Sequence, residues 1–270
     1  MNNNTISANT LFHFTNSIEN IKNILTHTFS PRYCLEHMDF PSNKNLDLGI
    51  PMVCFCDIPL SQIKDHVNVY GEYAIGLSKE WAMSNGISPV LYLCKDSITG
   101  EMIDRYFTTA NKIDRLYESM NNVDGKFYEK TNIKRGGASS DYVQLIFFTK
   151  SYSGKMWKNG QLIENKTFYN EREWRFTPSM SKLESLGATP MIKKAQFDNE
   201  HERNELNNKI NSIKIKFTPK DIKYIIVKKE SERLKMIRMI DGIKRGTFSD
   251  DEIRELNSKI ISVEQIREDF

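Results

Sequence analysis

Short apolar segments with the two-residue period of β-strands alternate along this chain with segments of helical period. The strand-type segments lie at 11–14, 52–56, 72–77, 89–94, 173–178 and 223–227. The helical type is clearest at 18–25, where four apolar residues fall on one face. Strands separated by helices and long loops, with a hairpin among them, predict an α+β fold with a mixed or antiparallel sheet.

One domain over residues 1–270, with a helical and loop insertion at about 101–150, is the simplest organisation. Apolar residues recur at helical spacing over 101–121, and the stretch 123–141 is polar and contains glycine, which favours a surface connection. No repeat of 20 to 50 residues and no low-complexity linker divides the chain. Asn159 and Gly160, between apolar flanks, predict a hairpin turn.

The composition, 39% hydrophobic and 27% charged with a net charge of +3, is that of an ordinary globular chain. No apolar run reaches the roughly eighteen residues that span a bilayer, and the Asn-rich start does not resemble a signal peptide. We therefore expect a cytoplasmic protein with no membrane partner. The four cysteines form no CxxC pair, so we expect reduced thiols and no metal site.

His13 and Thr15 end the first strand, in the sequence HFT. A histidine at a strand end is often a satisfied structural residue. Its ring nitrogens can also hold a ribose hydroxyl or a ligand carbonyl, with Thr15 at the mouth of the same strand.

The sequence EREW carries two carboxylates, Glu171 and Glu173, that alternate onto one side of an incipient strand, and Arg175 continues that side. This face is either a solvated edge or the lining of a cleft. Trp174 and Phe176 on the opposite face favour a strand anchored in a core, and hence the cleft. A carboxylate held there could stabilise an oxocarbenium ion or orient a ribose hydroxyl in a glycosyl transfer.

Aromatic and basic residues form a third candidate set: Arg32, Tyr33, Tyr70 and Tyr73. The arginine could pair with a phosphate, and a tyrosine could stack on a planar ring, although tyrosines at this density are often core or rim residues. Asp57, just after the strand at 52–56, is either a turn cap or a further polar group at a strand end.

Six segments together resemble the AbiGi-type abortive-infection proteins of bacterial phage defence: LFHFTNSIENIKNIL, SPRYCLE, MVCFCDIPL, YGEYAIGLSKEWA, FYNEREWRFTP and EQIREDF. The order of an H-x-T strand near the start and a glutamate-bearing strand near the end is also similar to ADP-ribosyltransferases, particularly the DarT-like toxins that modify nucleic acid. This second resemblance implies an ADP-ribosyltransferase-like split mixed or antiparallel sheet with helical insertions.

The resemblance to ADP-ribosyltransferases also implies roles for single residues. His13 would hold the ribose of NAD, Glu173 would be catalytic, and Thr15 would lie on the adenosine side. Three tyrosines, Tyr33, Tyr70 and Tyr73, remain alternatives for the ring that stacks on nicotinamide. The DarT-like enzymes carry an arginine in the loop after the second core strand, where this chain has DIPLSQ, and Arg32 is the candidate substitute.

The expected function is that of an NAD-dependent ADP-ribosyltransferase toxin of an abortive-infection, toxin–antitoxin system, with NAD as substrate and an antitoxin protein as a further partner. RNA is the first choice of target, with DNA and protein as alternatives. The basic segment 130–137 either contacts phosphates or is a solvated loop. The alternative function is a non-catalytic antitoxin or phage-sensing protein that works by binding.

Overall fold

A computed structural model of the chain describes residues 9–38, 46–121, 137–158, 161–244 and 247–269. Its strands are β1 Thr10–Thr15, β2 Arg32–Met38, β3 Leu46–Cys56, β4 Tyr73–Ser78, β5 Ser88–Pro89, β6 Leu91–Leu93, β7 Thr149–Ser151, β8 Ser153–Lys158, β9 Gln161–Thr167, β10 Glu173–Phe176, β11 Ile192–Lys193, β12 Ile222–Val227 and β13 Ile260–Ser262.

The α-helices are α1 Ile18–His27, α2 Lys64–Tyr70, α3 Lys79–Ser84, α4 Ile98–Asn121, α5 Gly137–Phe147, α6 Met180–Ser185, α7 Lys194–Asp198, α8 Glu200–Ile210, α9 Arg233–Lys244, α10 Asp250–Ser258 and α11 Val263–Asp269. Ser17 and Ser78 cap α1 and α3 by accepting a hydrogen bond from a backbone N–H in the first turn.

Nine of the strands form one sheet, in which β13, β12, β4, β1, β3, β10 and β5 are neighbours in that order. The pairs are antiparallel except for β12 with β13, which run parallel. The prediction of an α+β fold with a mixed sheet is thus confirmed. The antiparallel hairpin of β8 and β9 also agrees with the sequence, while its turn residues Asn159 and Gly160 lie outside the described residues.

The long strand β3 changes partners along its length, and this splits the sheet. It pairs with β1 at Cys56 and with β10 from Val53 to Cys56. Its first half, from Leu46 to Met52, pairs instead with β2. Cys54 lies between the part of β3 that pairs with β1 and the part that pairs with β2, and the candidate site lies at this position.

Alternating residues of the central strands pack on opposite faces of the sheet. Leu11, Ile75 and Ile225 join a cluster with α1, α9 and α10, whereas the neighbouring Phe12 and Ile226 pack on the other face with α11. A third cluster joins β2 and the first half of β3 to α4, α5, α6 and α8. The region 101–150 holds most of α4, all of α5 and part of β7, and residues 122–136 lie outside the described part.

Candidate functional site

A cavity of about 310 Å³ opens where the sheet splits. Strands β1, β2, β3 and β10, helix α2, and residues next to the β8–β9 hairpin contribute to its wall. Its polar and titratable lining consists of His13, Cys34, Glu36, His37, Cys54, Cys56, His66, Tyr70, Lys150, Lys155, Glu171 and Glu173. The cavity therefore brings together three of the residues that the sequence singles out for NAD: His13, Tyr70 and Glu173.

Lys150 lies at the centre of the charged wall of this cavity. Its ammonium nitrogen is 2.6 Å from a carboxylate oxygen of Glu173, 3.0 Å from one of Glu171 and 3.7 Å from one of Glu36. Burial alone lowers the pKa of Lys150, but the three carboxylates outweigh burial and raise it well above its usual range. The lysine is therefore a permanent cation.

Glu173 is held from a second side by Arg175, the next residue on the same face of β10. The Nε and Nη2 atoms of Arg175 donate to the two carboxylate oxygens, and Nη2 also lies 3.0 Å from Glu36. Burial raises the pKa of Glu173, but Arg175 and Lys150 outweigh it and hold this pKa far below its usual range. Glu173 is 5% exposed and Arg175 is fully buried, so the interpretation of EREW as a solvated edge is wrong.

Glu171 lies outside the strand in which the sequence places it. It lies in a 3-10 turn, Phe168–Glu171, and β10 begins only at Glu173. Arg172 between them has a left-handed backbone, with φ of 44°. The two carboxylates therefore meet at one cation, but the expectation that both belong to a strand is wrong, because the strand alternation starts after Arg172.

Tyr70 and His66 form the side of the cavity that faces Glu171. The Tyr70 hydroxyl donates a short hydrogen bond to Glu171. The His66 ring packs on the Tyr70 ring, with centroids 4.7 Å apart. Burial, followed by Glu171, raises the pKa of Tyr70 above its usual range, and burial, followed by Lys166 and Lys150, lowers the pKa of His66 to about 4. Both groups are neutral near pH 7.

His13 lies at the split of the sheet, with its Nδ1 atom 2.8 Å from the carbonyl oxygen of Cys54. Because a carbonyl oxygen only accepts, Nδ1 carries the proton and Nε2 is left as an acceptor. Burial lowers the pKa of His13 despite the hydrogen bond to Cys54. The ring also packs against Phe29 and Phe55, which contact each other, so its orientation is fixed.

A second cavity, of about 630 Å³, adjoins the first and shares His13, Cys34 and Cys54 with it. Thr15 and Arg32, both predicted to contact NAD, line this second cavity. Its other polar lining residues are Asn20, Asn23, His27, Thr28, Ser30, Asn207, Asn208, Asn211 and Lys214. The Thr15 hydroxyl accepts a hydrogen bond from Asn20. The smaller cavity is thus lined by both acidic and basic side chains, and the larger one mainly by amide and basic side chains.

Two of the three candidate stacking tyrosines lie elsewhere. Tyr33 is buried in the third core cluster and donates to the carbonyl of Thr189. Tyr73 donates to Glu232, 3.0 Å away, and lines neither cavity. The prediction that Tyr33 or Tyr73 stacks on nicotinamide is therefore wrong, because a ring that is fixed in the core or bonded away from the cavity offers no face to a ligand there.

Asp57 also lies apart from both cavities. Its carboxylate is 2.7 Å from the ammonium group of Lys79, and its backbone N–H donates to the carbonyl of Arg172. It fixes the end of β3 against the turn before β10. Residues 130–136 of the basic segment lie outside the described residues.

Sequence reasoning did not single out Lys150, Glu36 and His66. Lys150 follows a segment that reads as a buried element, where its charge is an anomaly that could have marked it. Glu36 and His66 lie in segments without a distinguishing pattern, and only the pairing of β2 with β3 and the position of α2 bring them to the cavity.

Neither a membrane span nor a metal centre is evident in the part of the chain that the structure describes. None of its helices is both long and apolar enough to cross a bilayer. The described residues also contain no group of three or more His, Cys, Asp or Glu side chains arranged to hold a metal ion.

Comparison with known proteins gives two matches over most of the chain. The model of the AbiGi family, described as abortive phage resistance protein and antitoxin, matches residues 27–228. The abortive phage resistance protein AbiGi of Lactococcus lactis subsp. cremoris is 31% identical over 264 residues, which cover 90% of this chain and 99% of that protein. No solved structure matches the chain.

Proposed function

Since the chain belongs to the AbiGi family of abortive phage resistance proteins, we propose that it acts in phage defence as an NAD-dependent ADP-ribosyltransferase. One observation carries this proposal: His13 and Glu173, which are 160 positions apart in the sequence, line the same cavity at the split of the sheet. These are the two residues that the resemblance to ADP-ribosyltransferases assigns to the ribose and to catalysis.

The state of His13 suits a ribose hydroxyl. Its Nε2 atom is an acceptor because Nδ1 donates to Cys54, and burial keeps the ring neutral by lowering its pKa. A hydroxyl of the nicotinamide ribose would donate to Nε2. Because the ring is held against Phe29 and Phe55, this bond would set the orientation of the sugar.

Glu173 would act on the charge that develops at the ribose. As the bond between C1′ and the nicotinamide nitrogen breaks, its electron pair leaves with neutral nicotinamide, and positive charge builds on C1′. The ionised Glu173 would stabilise that charge by accepting from the adjacent 2′-hydroxyl. A nitrogen or oxygen of the acceptor then bonds to C1′, and its proton passes to solvent.

The two adjoining cavities would take the two halves of NAD. Tyr70 is the predicted tyrosine in the smaller cavity, so it is our candidate for packing against nicotinamide. Thr15 and Arg32 line the larger cavity, where the adenosine and the pyrophosphate would lie. No ion pair of Arg32 is found among the described residues, which leaves its charge available for a phosphate.

The substrate that we propose for modification is nucleic acid, with RNA as the first choice, and the modification would arrest the infected cell. A neutralising antitoxin protein would be the second partner. This target rests on the resemblance to DarT-like toxins and on the net charge of +3.

A second candidate function, a binding antitoxin without catalysis, is favoured by two observations. The family description includes the word antitoxin. In addition, Glu173 is bonded on both carboxylate oxygens by Arg175 and Lys150, which would be a purely structural arrangement in a chain that binds a partner toxin.

A labelling experiment separates the two functions. The purified chain is incubated with NAD that is labelled in the adenylate phosphate, in three reactions that contain total RNA, total DNA or total protein of the host. Adducts are identified by mass spectrometry. The transferase proposal predicts a labelled pool for the wild type, loss of label with Glu173→Gln, and full labelling with Glu232→Gln, a matched control outside the cavity.

Growth on expression gives the second readout. A transferase arrests growth when it is expressed alone, and Glu173→Gln relieves the arrest. Absence of label from all three pools, together with normal growth, would overturn the transferase proposal and favour the antitoxin.

A further inference from the structure

Three tyrosines form an aromatic surface on the outer side of the turn that carries Glu171. The rings of Tyr152 and Tyr169 are stacked, with centroids 5.5 Å apart and planes at 25°. Tyr92 meets Tyr169 edge-on, with centroids 5.2 Å apart. Tyr152 is 41% exposed and Tyr169 is 45% exposed. We name Tyr92, Tyr152 and Tyr169 the tyrosine ledge.

The backbone ties the ledge directly to the charged wall of the cavity. Tyr152 comes two residues after Lys150, and Tyr169 comes two residues before Glu171. The backbone N–H of Tyr169 donates to the carbonyl of Tyr152, and the backbone N–H of Glu173 donates to the hydroxyl of Tyr92 at 2.8 Å. The ledge therefore adjoins the backbone that carries Lys150, Glu171 and Glu173.

One cation follows the exposed rings along the chain. Arg172 closes the turn of Tyr169, to whose carbonyl its backbone N–H donates, and no ion pair of its side chain is found among the described residues. Lys155, on β8, instead lies 3.6 Å from Glu164 and lines the cavity. Exposed aromatic rings with a cation close by in the chain are a combination that binds single-stranded nucleic acid, because bases stack on the rings while the cation contacts phosphates.

We propose that the tyrosine ledge binds a base of a single-stranded nucleic acid by stacking on Tyr152 and Tyr169, with Arg172 near the backbone phosphates. A base held there lies beside the turn that carries Glu171 into the cavity, so the same strand would supply the acceptor. The role as acceptor rests on the proposed function. Binding to the ledge does not, because it requires neither NAD nor Glu173.

Fluorescence anisotropy tests the ledge. The probes are a fluorescein-labelled uridine RNA of about a dozen nucleotides, a thymidine DNA of equal length, and an RNA duplex. Tyr152→Ala and Tyr169→Ala should each weaken binding of single strands at least about fivefold, the effect of losing one stacked ring. Tyr169→Phe should bind as the wild type does, because the ring is retained.

Tyr106→Ala is the matched control. Tyr106 is 45% exposed, like Tyr169, but lies on α4 and packs on Tyr142. This variant should bind both single strands as the wild type does. The duplex should bind more weakly than either single strand, because its bases are already stacked on each other.

Two results would overturn the proposal: binding of single strands by the wild type weaker than about 100 µM, or unchanged affinity in both alanine variants. Weak binding to single strands would leave the exposed rings as a surface for a protein partner. If an alanine variant fails to fold, photocrosslinking of an iodouridine RNA to the wild type decides the matter. Crosslinks at Tyr92, Tyr152 or Tyr169 support the ledge, and crosslinks confined to other positions overturn it.

Failure of the ledge and failure of the transferase proposal give different results. The anisotropy titration contains no NAD, so weakened binding in the alanine variants supports the ledge even if no adduct ever forms. Conversely, the alanine variants could bind oligonucleotides as tightly as the wild type while labelled NAD still modifies its target. That result would support the transferase proposal and reject the ledge as a binding site for nucleic acid.

Discussion

The ammonium group of Lys150 lies 2.6 Å from Glu173, and the same group lies 3.0 Å from Glu171. One lysine after helix α5 thus joins the 3-10 turn to strand β10 inside the protein. Its side chain is 9% exposed, and those of the two glutamates are 5% exposed. An isolated charge in such surroundings is strongly disfavoured, so each member of the cluster depends on the others.

Lys150→Met should therefore destabilise the protein by about 3 kcal/mol, since three carboxylates lose a shared cation without gaining another partner. Urea unfolding at pH 7 measures this change. The control is Lys228→Met, whose partner Glu72 and own side chain are both more exposed, and for which a much smaller loss is expected because solvent screens the pair. Equal losses of unfolding free energy in the two variants would show that the buried cluster stabilises the protein no more than an exposed ion pair does.

Glu173→Gln should lower both turnover and stability. Turnover should fall about 10²-fold, as expected when one preorganised charge is lost. Stability should fall by about 3 kcal/mol, because Arg175 and Lys150 remain buried with less compensation. NAD consumption at a temperature where the variant is folded, together with urea unfolding, separates the two effects. A variant as stable as the wild type would contradict the burial of this ion pair.

Tyr70→Ala should weaken NAD binding at least about fivefold by removing the ring proposed to pack on nicotinamide. Tyr70→Phe should retain most of the affinity, because the ring is kept and only the hydroxyl, which bonds Glu171 and the sulfur of Met156, is lost. Tyr73→Ala is the control, since Tyr73 bonds Glu232 outside the cavity. Equilibrium dialysis with labelled NAD checks all three. A larger effect from Tyr73 than from Tyr70 would reject Tyr70 as the stacking ring.

Acid should destabilise the protein through His66. Its pKa is lowered to about 4 by burial and by Lys166 and Lys150, although Glu173 opposes this. The unfolded chain, with a pKa near 6.5, binds a proton first, so the stabilising free energy present above about pH 6.5 is lost as the pH falls towards 4. The loss between pH 7 and pH 5 should be about 2 kcal/mol.

Urea midpoints at pH 7 and pH 5, compared between the wild type and His66→Phe, test this assignment. The phenylalanine retains a ring against Tyr70 and Phe14 but cannot titrate, so its stability should depend less on pH. The remaining dependence is assigned to His13, whose pKa is lowered in the same direction. If the stability of both proteins depends equally on pH, His66 does not cause the loss of stability in acid.

The sequence anticipates the elements that depend on local pattern. The period of the strands predicts β1, β4, β10 and β12, and the alternation in EWRF places Glu173 and Arg175 on the face opposite Trp174. The resemblance adds the pairing of His13 with Glu173. What could not be predicted depends on distant contacts, such as the arrival of Lys150 from another element and the left-handed Arg172. No local pattern encodes either one.

The proposal that the cavity at the split of the sheet binds NAD through His13 is tested most directly by isothermal titration calorimetry, which measures NAD binding by the wild type and by His13→Ala. We propose that Nε2 of His13, a residue that lines both cavities, accepts a hydrogen bond from the NAD ribose. The wild type should bind one NAD per chain, and His13→Ala, still folded by circular dichroism, should bind at least about tenfold more weakly, as expected for a lost buried hydrogen bond. Equal affinity in the two proteins, or no binding of NAD by the wild type, would contradict the account.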